Sequence, residues 1–208
     1  MGLLSALGVI LGGSWASGIN LYLTIAGLGI AERLGLIDLP GKLDVLSHPL
    51  VIAVALLLFV IEFFADKIPY VDSAWDSVHT FIRPLGGAAM AFMATSDSTA
   101  AIQFSTAMMA GTVALDAHLT KATTRVAINT SPEPFSNIIA SATEDGLVLA
   151  ALWLIMTHPV IAGVLVISFI VFSVWFLKVM FRFLRKVFDF FLGSKEEDIS
   201  GTEDKDQE

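Results

Sequence analysis

The chain has no cysteine, and only 15% of its 208 residues are charged. The missing cysteine excludes disulfide bonds, thiolate metal ligands and thiol catalysis. The sequence also lacks the P-loop, the G-x-S-x-G elbow, the H-E-x-x-H zinc motif and the dinucleotide-binding fingerprint. These absences count against the enzyme classes that use those motifs, and they leave cofactor and metal unknown.

Basic residues are also scarce, since 12 Lys and Arg stand against 20 Asp and Glu, for a net charge of −8. A chain of this balance is not expected to bind nucleic acid. No basic start typical of a cleaved signal peptide is present, so we expect the N-terminus to be retained. Residues 194–208 hold seven acidic residues against Lys195 and Lys205. We therefore interpret residues 193–208 as an acidic, disordered cytoplasmic tail and residues 1–192 as a helical membrane domain.

Hydrophobic residues make up 55% of the chain, and its mean hydropathy is +0.77. This composition predicts an all-α integral membrane protein with about six transmembrane or re-entrant helical segments plus an interfacial amphipathic helix. Residues 85–94 and 100–115 are short and rich in small side chains, so they form either two thin spans or a re-entrant pair. The apolar runs are residues 3–11 with 17–30 (one broken span), 50–64, 85–94, 100–115, 147–156 and 160–177.

Basic residues follow the last apolar run, at Lys178, Arg182, Arg185 and Lys186. By the positive-inside rule they place the C-terminus in the cytoplasm, and six segments then place the N-terminus there too. We expect a multi-pass protein of a bacterial inner membrane.

Charged residues are concentrated in residues 62–84, beside an apolar run. Ionisable groups close to hydrocarbon are costly and by default mark a functional site. The spacing of Asp72, Asp76, His79 and Arg83 places them on one face of a predicted interfacial helix, residues 72–82. Such a face suits a cation or a proton relay. The alternative is a solvated surface helix whose arginine meets lipid phosphates.

Glu62 and Asp66 are four residues apart at the end of the apolar run 50–64, so they also share a helical face. We interpret them as lining a proton or cation site. The alternative is a structural ion pair with Lys67, Arg83 or Arg125.

A basic face is predicted further along, where His118, Lys121 and Arg125 lie at helical spacing. Together with Arg83 it is a candidate site for an anion such as a lipid phosphate. Positive-inside topology explains the same residues equally well. Pairing of this face with the acidic residues of 62–84 would instead produce a buried network.

A polar break in the helical pattern lies at residues 129–134, NTSPEP. Broken helices with exposed caps and carbonyls hold ions in many transporters, although a plain loop between two helix caps explains the pattern as well. Asn20 and Tyr22 lie inside the first span, where we interpret them as polar contacts between helices. The polar residues from the break onward are Asn129, Ser131, Glu133, Asn137, Glu144 and Asp145.

Four segments of the chain look familiar: SGINLYLT, EFFADKIPYVDSAWDSVHTFIRPLGGA, AHLTKATTR and NTSPEPFSNIIASATED. Together they resemble a family of bacterial membrane proteins known only as domain-of-unknown-function family 4126. The resemblance covers residues 11–167 and implies a multi-span membrane protein. It carries no assigned activity, so it assigns no catalytic residue.

Three functions are compatible with this sequence. The first is a small transporter or channel for a cation or small polar solute. The second is a membrane enzyme or a binder of anionic phospholipid headgroups, and the third is a scaffold whose protein partner recognises the basic helix and acidic tail. Because six thin segments enclose little volume, a homo-oligomer within the lipid bilayer is also plausible.

Overall fold

The computed structural model describes the backbone of residues 2–129 and 134–203, and the side chains of residues 2–68, 70–129 and 135–186. Within that part the chain is entirely helical, as predicted, with a short 3₁₀ helix at Leu43–Ser47 and no strand. The seven α-helices are α1 (Leu3–Ile19), α2 (Leu21–Arg33), α3 (Pro49–Ala65), α4 (Pro69–Ala94), α5 (Ala100–Asn129), α6 (Pro134–Thr157) and α7 (Pro159–Glu203).

Helix α1 lies at the centre of the molecule, in contact with α4, α5, α6 and α7 as well as α2. Its small residues allow this close packing. A Cβ added to Gly18 would overlap the carbonyl oxygen of Ala114 on α5, and one added to Gly8 would overlap the Pro159 carbonyl oxygen on α7. Glycine is needed at these two positions because two backbones approach each other there.

The first predicted span is broken, but at a different residue from the expected one. We expected residues 3–11 to end at Gly12-Gly13, whereas both glycines lie inside α1 and the helix ends at Ile19. Asn20 separates α1 from α2 in extended backbone, and its side-chain oxygen accepts a hydrogen bond from the Leu23 N–H at 2.9 Å. The glycines serve helix packing, and an asparagine cap makes the break.

The predicted interfacial helix 72–82 is not a separate element. It is continuous with residues 85–94 in α4, and Pro84 lies within this helix. Likewise, residues 100–115 form only the first half of the 30-residue α5, so neither segment is as short as its apolar run. Proline removes one backbone hydrogen bond and bends a helix without having to end it, which is why the sequence boundary was wrong.

Two of the described helices are long and apolar enough to cross a membrane: Phe135–Thr157 within α6 and Pro159–Lys186 within α7. Helices α1 and α3 are apolar but shorter, at 17 residues each. Pro49 and Pro159 each occupy the first position of a helix, where a missing N–H costs nothing. The division into a membrane domain and a disordered tail stays a prediction.

Candidate functional site: a buried network of charges

The charged residues singled out in the sequence meet in one place. This place is surrounded by parts of six helices: the first turns of α4, the C-terminal halves of α3 and α5, the first half of α6, and the junction of α1 with α2. We call this group the charge network. It consists of the carboxylates Glu62, Asp66, Asp72, Asp76, Glu144 and Asp145 and the cations Arg83, Lys121 and Arg125.

Most of the network is inaccessible to solvent. Arg83 and Glu62 are 0% exposed, Arg125 is 1% exposed and Lys121 is 3% exposed. Glu144 and Asp145, on α6, are partly exposed. The charged face of α4 therefore points into the protein, and the alternative of a solvated surface helix is wrong for these side chains. Helical spacing correctly predicted which residues share a face.

Arg83 joins α4 to three other helices. Its Nη2 donates to Glu62 Oε1 of α3 at 2.5 Å, and its Nη1 donates to the Gly18 carbonyl oxygen of α1 at 3.2 Å. Nη1 also lies 2.8 Å from His118 Nδ1 and 3.4 Å from Asp76 Oδ1. A guanidinium presents five donors in a rigid fork, which suits this set of acceptors.

Lys121 lies beside Arg83 and shares one of its partners. Its Nζ donates to Asp66 Oδ2 at 3.0 Å and lies 3.4 Å from Glu144 Oε2. The same ammonium is 3.8 Å from Glu62 Oε1. Glu62 is thus held between two cations, which couples the Arg83 and Lys121 parts of the network electrostatically.

Arg125 joins α5 to α6. Its Nε and Nη2 donate to the two Glu144 oxygens at 2.9 and 2.7 Å, a bidentate pair. Nη1 donates to Asn137 Oδ1 at 2.7 Å and to the Asp66 carbonyl oxygen at 3.2 Å. Asp72 Oδ1 lies 3.9 Å from the same Nη1.

The break between α1 and α2 opens onto the network. The carbonyl oxygens of Gly18 and Ile19, at the end of α1, accept hydrogen bonds from Arg83 and Lys121 at 3.2 and 3.4 Å. Asn20, which is 1% exposed, donates to Asp145 Oδ1 at 3.1 Å. Asn20 was interpreted in the sequence only as a contact between helices. A lone amide inside an apolar run was the signal that pointed to it.

Two histidines are held by hydrogen bonds within the protein. His118 Nδ1 accepts from Arg83, so this ring is neutral and its proton is assigned to Nε2, 3.0 Å from the hydroxyl oxygen of Thr80. His79 Nδ1 donates to the Trp75 carbonyl oxygen at 2.8 Å, and its Nε2 is hydrogen-bonded to the Tyr22 hydroxyl at 3.0 Å. Both nitrogens of each ring are thus engaged within the protein.

Negative charge outweighs positive charge in the network. Six carboxylates face three buried cations, and a fourth cation, Lys67, lies partly exposed at the edge, where its Nζ donates to the Phe63 carbonyl oxygen. Five buried carboxylate oxygens accept no hydrogen bond from the described part of the chain. They are Glu62 Oε2, Asp66 Oδ1, Asp72 Oδ1, Asp76 Oδ1 and Asp76 Oδ2.

Burial changes the acidity of Asp72, in the first turn of α4. Loss of solvent raises the pKa of its carboxyl group to about 6, although Arg125 opposes the rise. Near neutral pH Asp72 is therefore present in both its protonated and its ionised form.

Among the described residues, no group of three or more His, Asp or Glu side chains has an arrangement that suits a metal ion.

The residues predicted around the polar break divide into two sets. Asn137 joins the network through Arg125, and Asn129 Nδ2 donates to Asp72 Oδ2 at 3.3 Å and to Ser73 Oγ at 3.2 Å. Ser131 and Glu133 lie outside the described residues. The predicted anion-binding cations Arg83, His118, Lys121 and Arg125 all face groups of the chain itself.

Comparison with known proteins identifies the family. The model of the family described as "Domain of unknown function (DUF4126)" matches residues 7–179, most of the chain. The chain therefore belongs to this family, and the resemblance noted in the sequence is confirmed. No curated protein and no solved structure matches it.

Proposed function

We propose that this family member is a multi-pass membrane protein that transports a proton or another monovalent cation through the charge network. The observation that carries the proposal is the excess of carboxylates over cations around a broken helix, with four buried and two partly exposed carboxylates against three buried cations. Both a channel and a transporter would need such a negatively charged site in the membrane. The proposal also allows a small polar solute to be carried with the ion.

The first support is energetic. Each buried ion costs several kcal/mol of solvation, which close pairing only partly restores. With all six carboxylates ionised, three negative charges remain beyond those of Arg83, Lys121 and Arg125, or two when the partly exposed Lys67 is counted as well. Bound protons or cations neutralise such an excess, and a purely structural core gains nothing from it. Within the described part of the chain, no group of three or more His, Asp or Glu side chains is arranged to hold a metal ion. Divalent cations need several oxygen ligands, so a proton or a monovalent cation is favoured.

The second support is the broken helix. In many secondary transporters, discontinuous helices bring backbone carbonyls and helix ends to an ion site near the middle of the membrane. Here the last carbonyls of α1 contact Arg83 and Lys121, which also hold Glu62. Uptake of a proton or cation at Glu62 weakens its attraction for both cations. The end of α1 is then free to shift relative to α3 and α4.

The proposed topology places the C-terminus in the cytoplasm of a bacterial cell and the N-terminus on the opposite side, unlike the cytoplasmic N-terminus expected from the sequence. Helix α1 packs parallel to α7, with Gly8 beside Pro159 and Trp15 beside Phe169. Helix α2 runs back, with Gly27 beside Leu152 of α6. Helices α1 and α2 are therefore an antiparallel pair, and α3, the second half of α4, α5, α6 and α7 form the other segments. The first half of α4 lies at the membrane surface. The basic residues of α7 are at its cytoplasmic end.

Binding of a phospholipid headgroup has less support, because Lys121 and Arg125 already donate to Asp66 and Glu144 of the same chain. A phosphate would have to displace these carboxylates. The enzyme and scaffold alternatives have no specific observation in their favour.

Flux through reconstituted protein tests the proposal. Liposomes that contain the purified full-length chain are exposed in turn to gradients of H⁺, Na⁺ and K⁺, and each gradient is followed with an entrapped dye selective for that ion. We expect one of these gradients to dissipate faster than in protein-free liposomes. If none does, with protein orientation and folding verified, the transport proposal is wrong.

A further inference from the structure

One carboxyl group lies apart from the charge network. Asp116 on α5 faces Ser173 on α7, and Asp116 Oδ2 lies 2.6 Å from Ser173 Oγ. Ser173 is 0% exposed, while Asp116 is partly exposed. Asp116 and Lys121 are five positions apart on α5, so the two side chains point to different sides of the helix.

None of the described residues near Asp116 and Ser173 supplies a positive charge. Among the ion pairs of the described residues none involves Asp116, and α1, which packs against α5, carries no charged residue. On α7 the first cation is Lys178, about 7.5 Å further along the helix axis than Ser173. The charged groups of α4 and α6 that face α5 belong to the charge network, where Arg83 contacts Glu62 and Glu144 contacts Arg125.

The two polar contacts of Ser173 can both be hydrogen bonds only when Asp116 is protonated. Ser173 has one proton but two neighbours, Asp116 Oδ2 at 2.6 Å and the Ile170 carbonyl oxygen at 2.9 Å. If Asp116 is ionised, the serine proton satisfies only one of these two acceptors. If Asp116 is protonated, its O–H donates to Ser173 Oγ and the serine donates to Ile170, so both contacts become hydrogen bonds.

The position of the pair also matters. Ser173 lies inside the apolar run 160–177 of α7, four residues before the end of that run. Its neighbours on α7 are exposed apolar residues, with Val171 72% and Phe172 50% exposed. In a membrane these side chains face lipid tails, and an unpaired carboxylate at that depth is strongly disfavoured.

We propose that Asp116 and Ser173 form a proton-binding site within the apolar part of the membrane, separate from the charge network and accessible from the lipid between α5 and α7. The site requires α7 to lie in the bilayer, but it does not depend on transport through the network. A failed flux experiment would leave it standing.

The test is labelling with dicyclohexylcarbodiimide, a carbodiimide that partitions into lipid. The reagent adds to a protonated carboxyl group. The acid proton moves to one reagent nitrogen, the carboxyl oxygen bonds to the central carbon, and the acyl group then shifts to nitrogen as a stable N-acylurea, without a leaving group. Full-length chain in membrane vesicles is treated at about pH 6 and about pH 9, and adducts are located by peptide mass spectrometry.

We expect an adduct on Asp116 that forms with the lipid-soluble reagent and is at least about tenfold weaker with a water-soluble carbodiimide. Asp97, an exposed acid between α4 and α5, is the internal control and should show the opposite preference. No adduct on Asp116, or equal labelling of Asp116 by both reagents, would overturn the proposal. The wild-type chain suffices, so a folding defect in a variant cannot obscure the result.

Discussion

Two contact regions of α1 show how differently this protein holds its helices together. Along most of α1, small residues bring backbones together, as where Gly18 meets Ala114 of α5. At the C-terminal end of the same helix, Arg83 and Lys121 reach the last carbonyl oxygens and connect them to buried carboxylates. The first region packs small residues and buries no charge, whereas the second buries ions that lose solvation free energy. A region that loses solvation free energy, inside a fold otherwise held by close packing, indicates function.

The largest effect is expected on removing a cation from the charge network. Arg83→Met leaves Asp76 buried without its cation and Glu62 with only Lys121, 3.8 Å away, so we expect a loss of about 3–5 kcal/mol in the free energy of unfolding. Denaturation in detergent measures it. Arg182→Met, at an exposed residue of α7, is the matched control and should change stability by no more than about 0.5 kcal/mol. Equal losses in the two variants would show that Arg83 contributes no more to stability than an exposed arginine on α7.

A smaller loss is expected from disturbing the packing region. In Gly18→Ala the new Cβ overlaps the Ala114 carbonyl oxygen, and α1 and α5 must move apart at a cost of about 1–3 kcal/mol. Gly146→Ala is the control, because no atom lies within 4 Å of its added Cβ. It should be neutral or stabilising by up to about 1 kcal/mol. Thermal unfolding of both variants measures these changes. A Gly18→Ala protein as stable as the wild type would contradict the close approach of α1 to α5.

The third prediction concerns the pH dependence of stability, an effect that reaches its full size only over about two pH units. The pKa of Asp72 in the folded protein is raised from 3.8 to about 6, so the folded state favours the protonated acid. The stability that this proton contributes is complete below about pH 4 and is lost as the pH rises through about 6. We therefore expect the melting temperature of the wild type to fall more steeply between these values than that of Asp72→Asn. The Asp97→Asn variant should keep the wild-type slope, and an identical slope in Asp72→Asn would refute the assignment.

Every residue of the charge network was singled out in the sequence, but as separate acidic, basic and polar candidate sites, with a buried network as only one alternative. Helical spacing correctly placed Asp72, Asp76, His79 and Arg83 on one face, because side chains three and four positions apart share a side of any helix. Which face of another helix they meet depends on tertiary packing, so the pairing of Arg83 with Glu62 remained one alternative among several. That Lys121 and Arg125 face carboxylates was equally undetermined.

Helix boundaries were the weaker part of the prediction. Gly12-Gly13 and Pro84 have the local chemistry of breaks, yet both lie inside helices whose neighbours stabilise them. Asn20 makes the break, and one polar residue in an apolar run did not distinguish a cap from a contact between helices. The pairing of Asp116 with Ser173 was not predicted, since the two residues are 57 positions apart in the chain.

The most direct test of the central claim is to neutralise Glu62, the carboxylate held between two cations, and to measure ion flux. In liposomes of equal protein content, Glu62→Gln should reduce flux of the transported ion about tenfold or more, while Asp97→Asn retains the wild-type rate. Circular dichroism and gel filtration verify that both variants are folded. Wild-type flux in a folded Glu62→Gln protein would contradict the account, because the ion would then cross without the charge network.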